Sequence, residues 1–483
     1  MVNSVELKVL TTKEVGTIRE KCLEFLSTKG VKVEHPEVLK ILDREGAQVN
    51  FDDQNVRFPK DIIEAALRSA PRSFSLWGRR NYSEYYEMAV PHPNSLFYTA
   101  TNTGAVTYHD PISNTFRNVT VTDTAEWAQI MEVSEGIDVC AFPTIGDVPG
   151  EIADIFALKT YFENTSKHVW IQPHSAESMK YLLELSIVLA GSKENLKKRP
   201  IVSVCSNSVT PLQFVSMEMN TLLQCSRHGV PLYLCALPGA GATSPVTIAG
   251  TVLLSGMENL AHVVMSQLIE PGTPVFCGHH RLTLDMATGR DLLTSVEAIL
   301  GEMASAQFIK EAFQLPTFAW GYGTDSHIPD EQSMIDGTLI GQLVALAGTD
   351  VLEGAGGLDA CLTINPVQLI IDNILAGIFK RVKAGVKVDD DTLAWKELLS
   401  IAPGDNFLEL AHTLKHCRDA LRPELFVRDP RETWVSESSK DLYTRALDKY
   451  IELKKGLKPQ QLPEDVQKEM NLILKQARDC LVK

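Results

Sequence analysis

No C-x-x-C pair occurs in the chain, and no run of eighteen apolar residues, although its 483 residues include nine cysteines and are 44% hydrophobic. The first absence argues against a zinc knuckle and a disulfide framework, leaving scattered, reduced and mostly buried thiols as the expectation. The second argues against a membrane-spanning helix. The opening residues, MVNSVELKVLTTKE, lack the apolar core of a signal peptide, so a soluble cytoplasmic protein is expected. Positive charge is also in deficit: 46 Lys and Arg stand against 61 Asp and Glu, a formal net charge of -15. That balance disfavours nonspecific binding to nucleic acid or an anionic membrane.

Three catalytic or binding signatures are missing as well. G-x-S-x-G does not occur, which removes the nucleophile elbow of the α/β hydrolases. The glycine-rich stretch LPGAGATSPVTIAG, Leu237 to Gly250, has Ser244 where a dinucleotide fingerprint needs its third glycine. It contains no Lys for a P-loop. Its Thr243-Ser244-Pro245 step supplies N-cap candidates with a proline at the first helical position, so a helix is expected to start there.

What is present is a rhythm. Residues 1–95 read as a helical cap with one hairpin: Thr11 or Thr12 caps a helix that Gly30 stops, and AQVNFDDQNVRFP alternates about a polar turn. From there, short apolar runs recur at roughly 30 to 45 residues, each followed by a helical pattern. They are 139–146, 168–173, 200–208, 231–239, 274–278, 317–323 and 350–357, with LFYTATN (96–102) as an eighth. Strand and helix in alternation imply parallel strands with crossover helices. Eight units would close a TIM (β/α)8 barrel, and seven with open edges would leave a doubly wound sheet; the barrel is the fold expected for residues 96–390. Residues 391–483 read as a helical C-terminal extension that ends in an amphipathic helix and packs on the barrel or joins a subunit interface; a homo-oligomer is expected.

In such a barrel the active site lies on the loops after the strands. Those positions hold aromatics at Trp170, Trp320 and Tyr322, and glycine steps at Gly239 to Ala242 and Gly354 to Gly357. Aromatic rings beside a carboxylate suit a quaternary ammonium through cation–π contact. Glycines at strand ends let a flat partner approach the backbone. Packing of the rings inside the barrel, and a capped helix after a tight turn, are the plain alternatives. Cys277, His279, His280 and Asp285 raise a zinc site, but adjacent histidines on one loop rarely converge on one ion, and no metal is expected. Donors for a substrate carboxylate are His174, Asn207, His279, His280, Arg281 and His327, of which Arg281 offers the bidentate fork.

Several ordered stretches resemble one known family. LPGAGATSPVTIAGTVLLSGMENLAHVVMSQLIEPGTPVFCG is similar to the central signature of the trimethylamine methyltransferase superfamily. So are GAVTYHDPISNTFRNVTVTD, NSVTPLQF, GYGTDSHIPDEQSMIDG, DVLEGAGGLDACLTINPVQLIIDN and the tail stretch WVSESSKDLYTRALDKY. The resemblance implies a TIM barrel that transfers a methyl group from an amine to Co(I) of a corrinoid carried by a separate small protein. Only standard residues occur, which places the chain with the pyrrolysine-free branch. That branch implies glycine betaine or a related betaine such as carnitine, γ-butyrobetaine or proline betaine as substrate. Expected substrate contacts are then Trp170, His174, Asn207, Phe276, His279, Arg281, Trp320, Tyr322 and Glu353. Gly239, Ala240, Gly241, Gly354, Gly356 and Gly357 are expected to admit the corrin ring. No residue is assigned a covalent or acid–base role. A zinc-dependent barrel methyltransferase and a non-catalytic betaine- or corrinoid-binding protein remain as alternatives.

Overall fold

A computed structural model describes residues 4–280 and 282–482. Eight parallel strands close into a barrel: β1 (Tyr98–Thr101), β2 (Val139–Ala141), β3 (His168–Ile171), β4 (Val202–Asn207), β5 (Leu232–Ala236), β6 (Val275–His279), β7 (Thr317–Trp320) and β8 (Val351–Ala355). Each coincides with one of the eight apolar runs, β6 reaching one residue past the end of its run. They are buried on both faces, hence the continuous rather than alternating hydrophobicity. The ring closes where β8 pairs with β1, and there the register slips: Leu352 faces Thr99 but Ala355 faces Thr101. Glu353 and Gly354 thus oppose a single residue, a bulge at the carboxyl end of β8.

The helices between the strands start where the sequence supplies caps. Thr120 and Asp123 form a capping box at the helix Val121–Val133, and Asn365 caps Pro366–Lys383, with proline at its first position. The helix Ile248–Ile269 is long and apolar enough to cross a membrane, but 72% of its most apolar window is buried against neighbouring elements. It begins at Ile248 behind Thr247, with no side-chain cap bond. The expected start at Thr243 to Pro245 is therefore corrected by three residues: Ser244 and Pro245 instead bind Thr251 Oγ1 through a hydroxyl and a carbonyl.

The first 95 residues carry the expected helix, Thr12–Thr28, with Thr11 and Glu14 as a capping box and Gly30 at φ +78° beyond its end. The expected hairpin pairs Gln48–Asn50 with Asn55–Arg57. A second hairpin, Phe74–Arg79 with Tyr85–Val90, plugs the amino-terminal end of the barrel. Its Leu76, Met88 and Val90 join Tyr233, Phe276 and Phe318 in one buried cluster, and Phe74 meets Phe276 edge-on at 4.8 Å. After the last barrel helix, Leu442–Lys454 lies on Pro366–Lys383, and the amphipathic Glu464–Leu481 lies on the helix Ser178–Ala190.

Candidate active site

The carboxyl end of the barrel opens into a pocket of about 230 Å³. That is below the roughly 300–1,000 Å³ of sites for drug-sized ligands, so it suits a compact substrate. Trp170, Gln172, Cys205, Asn207, Cys235, His280, Trp320 and Glu353 line it, with Leu237 and Leu362 at the rim. Alternation along the strands selects these side chains. On β6, Phe276 and Gly278 point inward, so His280, two residues on, does as well, while Cys277 and His279 face the helices.

Glu353 is the charge at the centre. Its carboxylate is about 1% exposed, and Oε1 lies 2.6 Å from His280 Nε2, a close contact that is not aligned along a ring N–H. The bulge aims it: the Glu353 carbonyl accepts both Gly321 N–H and Tyr322 N–H at 3.0 Å. On the other side of His280, Nδ1 is 3.4 Å from Cys235 Sγ, and the ring lies 4.6 Å from the Trp320 ring. Burial pushes the Cys235 thiol well above its usual range. Asn207 donates its backbone N–H to Glu218 at 2.8 Å and accepts from Cys205 Sγ at 3.2 Å, which fixes its amide. Burial raises the Glu218 carboxyl, opposed by these hydrogen bonds. The buried indole N–H groups of Trp170 and Trp320 have no partner among the described residues, and no described Lys or Arg lines the pocket.

Four of the expected substrate contacts thus meet in the pocket: Trp170, Asn207, Trp320 and Glu353. Four do not. Phe276 is buried deeper in the barrel against the plug hairpin. His279 faces outward and binds Glu302 through Nδ1 at 2.7 Å. Tyr322 lies outside the barrel, where its hydroxyl meets Thr99 Oγ1 at 3.3 Å and its ring stacks on Phe379 at 5.8 Å. His174 sits on the loop after β3, with its backbone N–H on Asp154, and its ring does not line the pocket. Arg281 lies outside the described residues. His327, the other loop donor, is exposed and pairs with Asp359 at 2.9 Å. The zinc candidates do not converge either: Cys277 and His279 face away from the pocket, and Asp285 holds its own turn through Ala287 and Thr288.

The glycines serve different ends. Gly239 and Ala240 pair with Leu282 and Thr283 in a small sheet that also includes Asp291–Leu292. Gly241 follows at φ +93°. The Gly354 to Gly357 step is corrected from an open platform to internal packing. A Cβ on Gly354 would lie 2.6 Å from the Tyr322 carbonyl, and one on Gly356 would lie 2.4 Å from the Trp127 ring. Sequence reading placed His280 among carboxylate donors but did not couple it to Glu353, and it missed Cys205 and Cys235. Counting inward positions from Phe276 and Tyr233 would have found His280 and Cys235.

Comparison with known proteins decides the family. The family model for trimethylamine methyltransferase (MTTB) matches residues 2–479. The chain belongs to the trimethylamine methyltransferase family. This methyltransferase is 29% identical to the trimethylamine methyltransferase of Desulfitobacterium hafniense strain DCB-2, over 99% of this chain and 95% of the other. It is 30% identical to the trimethylamine methyltransferase of Methanosarcina thermophila, over 97% of each. A glycine betaine methyltransferase of D. hafniense strain Y51 is 27% identical, over 89% of this chain and 88% of that one. Among solved structures, the monomethylamine methyltransferase of Methanosarcina barkeri shares the fold, with a TM-score of 0.56 at 12% identity, over 93% of this chain and 89% of that one.

Proposed function

We propose that this methyltransferase demethylates a compact quaternary amine, a betaine above all, and passes the methyl group to a corrinoid held by a small partner protein. The observation that supports this reading is the pocket's charge: one buried carboxylate, Glu353, two tryptophans, and no Lys or Arg among its described lining. A fixed positive charge is stabilised by Glu353 and by the faces of Trp170 and Trp320. The two indole N–H groups and the Asn207 and Gln172 amides are the neutral donors available to a carboxylate at the other end of the molecule.

The corrinoid supplies a Co(I) nucleophile when its carrier docks. The rim fits an apolar macrocycle edge, because Val106, Leu237 and Leu362 are exposed there and Val106 N–H bonds the Leu362 carbonyl. A quaternary nitrogen leaves as a neutral tertiary amine, so the chain need not supply a general acid. Its residues hold the methyl in line and keep water from the reacting carbon, a contribution of proximity and desolvation. The His280 ring packs beside the Glu353 carboxylate, with Nε2 2.6 Å from Oε1.

The test is methyl transfer to Co(I) corrinoid, followed by its absorbance, with glycine betaine, longer betaines, choline and trimethylamine as donors. Betaines should react fastest, with choline and trimethylamine at least tenfold slower. Trimethylamine as the preferred donor would overturn the quaternary assignment, and choline equal to glycine betaine would remove the carboxylate from it.

A further inference from the structure

Between the last barrel helix and Leu442–Lys454 the chain makes a long excursion. Residues 386–421 contain two short helices, Trp395–Ser400 and Ala411–His416, neither with a buried residue. Among the described residues, every hydrogen bond and ion pair of 387–421 closes on the segment itself. Asp391 is its knot, bound by Lys415 Nζ at 2.5 Å and by His416 Nε2 at 3.2 Å, while its carbonyl meets His412 Nε2 at 2.9 Å. The segment therefore has a shape but, among the described residues, no hydrogen bond or ion pair to the body of its own chain.

Its surface is apolar out of proportion to its length. From Val386 to Leu421 ten large hydrophobic side chains are exposed, including Trp395 at 62%, Leu399 at 69%, Leu408 at 81% and Leu414 at 79%. Scattered apolar residues are ordinary on a surface, but this many on one segment of the chain point to an interface. Six-residue helices with no buried face are also too short to persist unsupported. Ten such side chains, seven of them more than half exposed, present on the order of 1,000 Å², against about 800 Å² per partner in a standard stable interface.

We propose that this segment is an arm that packs on a second copy of the chain. Two observations favour a second copy over the methyl-accepting protein. The arm springs from Lys383, where the last barrel helix ends beside Asp350 and Lys310, at the amino-terminal end of the barrel. The pocket opens at the other end, and a methyl acceptor must reach it there. The body also offers a receiving face: Ile335 and Leu339, four residues apart on the helix Glu331–Leu346, are 65% and 43% exposed, and Val382 near the arm's root is 44% exposed. Reciprocal exchange of two arms about a two-fold axis satisfies both surfaces at once.

Sedimentation of the full chain at micromolar concentration tests this, beside a Leu408→Glu/Leu414→Glu variant and an Ile335→Glu/Leu339→Glu variant. Amide exchange should be read in parallel. The unsubstituted chain should sediment as a dimer or a multiple of one, with the amides of 387–421 protected. Each variant should dissociate at least 100-fold more readily, with the first losing that protection, while the thermal unfolding of the barrel and single-turnover methyl transfer stay unchanged. A monomeric unsubstituted chain would overturn the proposal. So would a Leu408→Glu/Leu414→Glu variant that keeps the oligomer, or arm protection that appears only when the corrinoid protein is added.

Discussion

At its amino-terminal end the barrel is stopped with carbon: Leu76, Met88 and Val90 of the hairpin join Phe276 and Phe318 in one cluster, and the buried ring of His168 meets the hairpin at the Trp77 carbonyl. The hairpin Phe74–Val90 is spent on closing an end that carries no pocket. At the carboxyl end the same strands finish in Trp170, Asn207, Cys235, Trp320 and Glu353, and the cavity stays open. The layers between the two ends are shared, since Tyr233 stacks on Trp170 at 5.1 Å above and on Phe276 at 4.5 Å below. Apolar packing and the buried carboxylate thus sit at opposite ends of one barrel.

The sharpest way to break this comparison is to cut each end once. Leu76→Ala should cost about 2–5 kcal/mol of stability, by lost transfer and a cavity, with kcat/KM per folded molecule preserved. Glu353→Gln should do the reverse: kcat/KM for a quaternary amine should fall on the order of 100-fold, about 3 kcal/mol, with a thermal midpoint equal or higher. Denaturation curves and steady-state rates on the same samples check both; an unfolding penalty for Glu353→Gln as large as that for Leu76→Ala would erase the division.

Acid should find the plugged end. His168 is held neutral by burial, its value pushed down to about 4, with Nδ1 on the Trp77 carbonyl and Nε2 at 2.9 Å from Ser203 Oγ. The unfolded chain binds a proton below about pH 6.5 and the folded chain does not, so stability is full above that pH and falls toward pH 4. The slope attributable to this ring is up to about 1.4 kcal/mol per pH unit, and His168→Gln should remove it from a pH series of denaturant midpoints.

The smallest effect is expected outside both ends. Tyr322→Phe removes a hydroxyl whose only described contact is Thr99 Oγ1, so stability should fall by about 1 kcal/mol and KM should not move. A raised KM would return Tyr322 to the substrate site.

All eight barrel strands were legible in the sequence because buried parallel strands announce themselves as short apolar runs between helical patterns. The pocket was half legible. Trp170, Asn207, Trp320 and Glu353 were expected together and do line one pocket, because they lie toward the carboxyl ends of strands. Phe276, His279 and Tyr322 were misplaced because proximity to a strand end does not say which face a residue takes. The Phe74–Val90 hairpin escaped notice because its partners lie in distant strands, and the role of Gly354 and Gly356 because their crowding comes from Tyr322 and Trp127.

The bulge on β8 has a further consequence. Glu353 holds its neighbours through its carbonyl, which belongs to every residue, and aims its charge through its side chain, which belongs to this one. On the function proposed above, structure and selectivity fall on separate atoms of one residue, while Gly354 at φ +100° bears the geometric constraint next door. A neutral or cationic group at position 353 would then change the charge of the pocket without reopening the ring of strands.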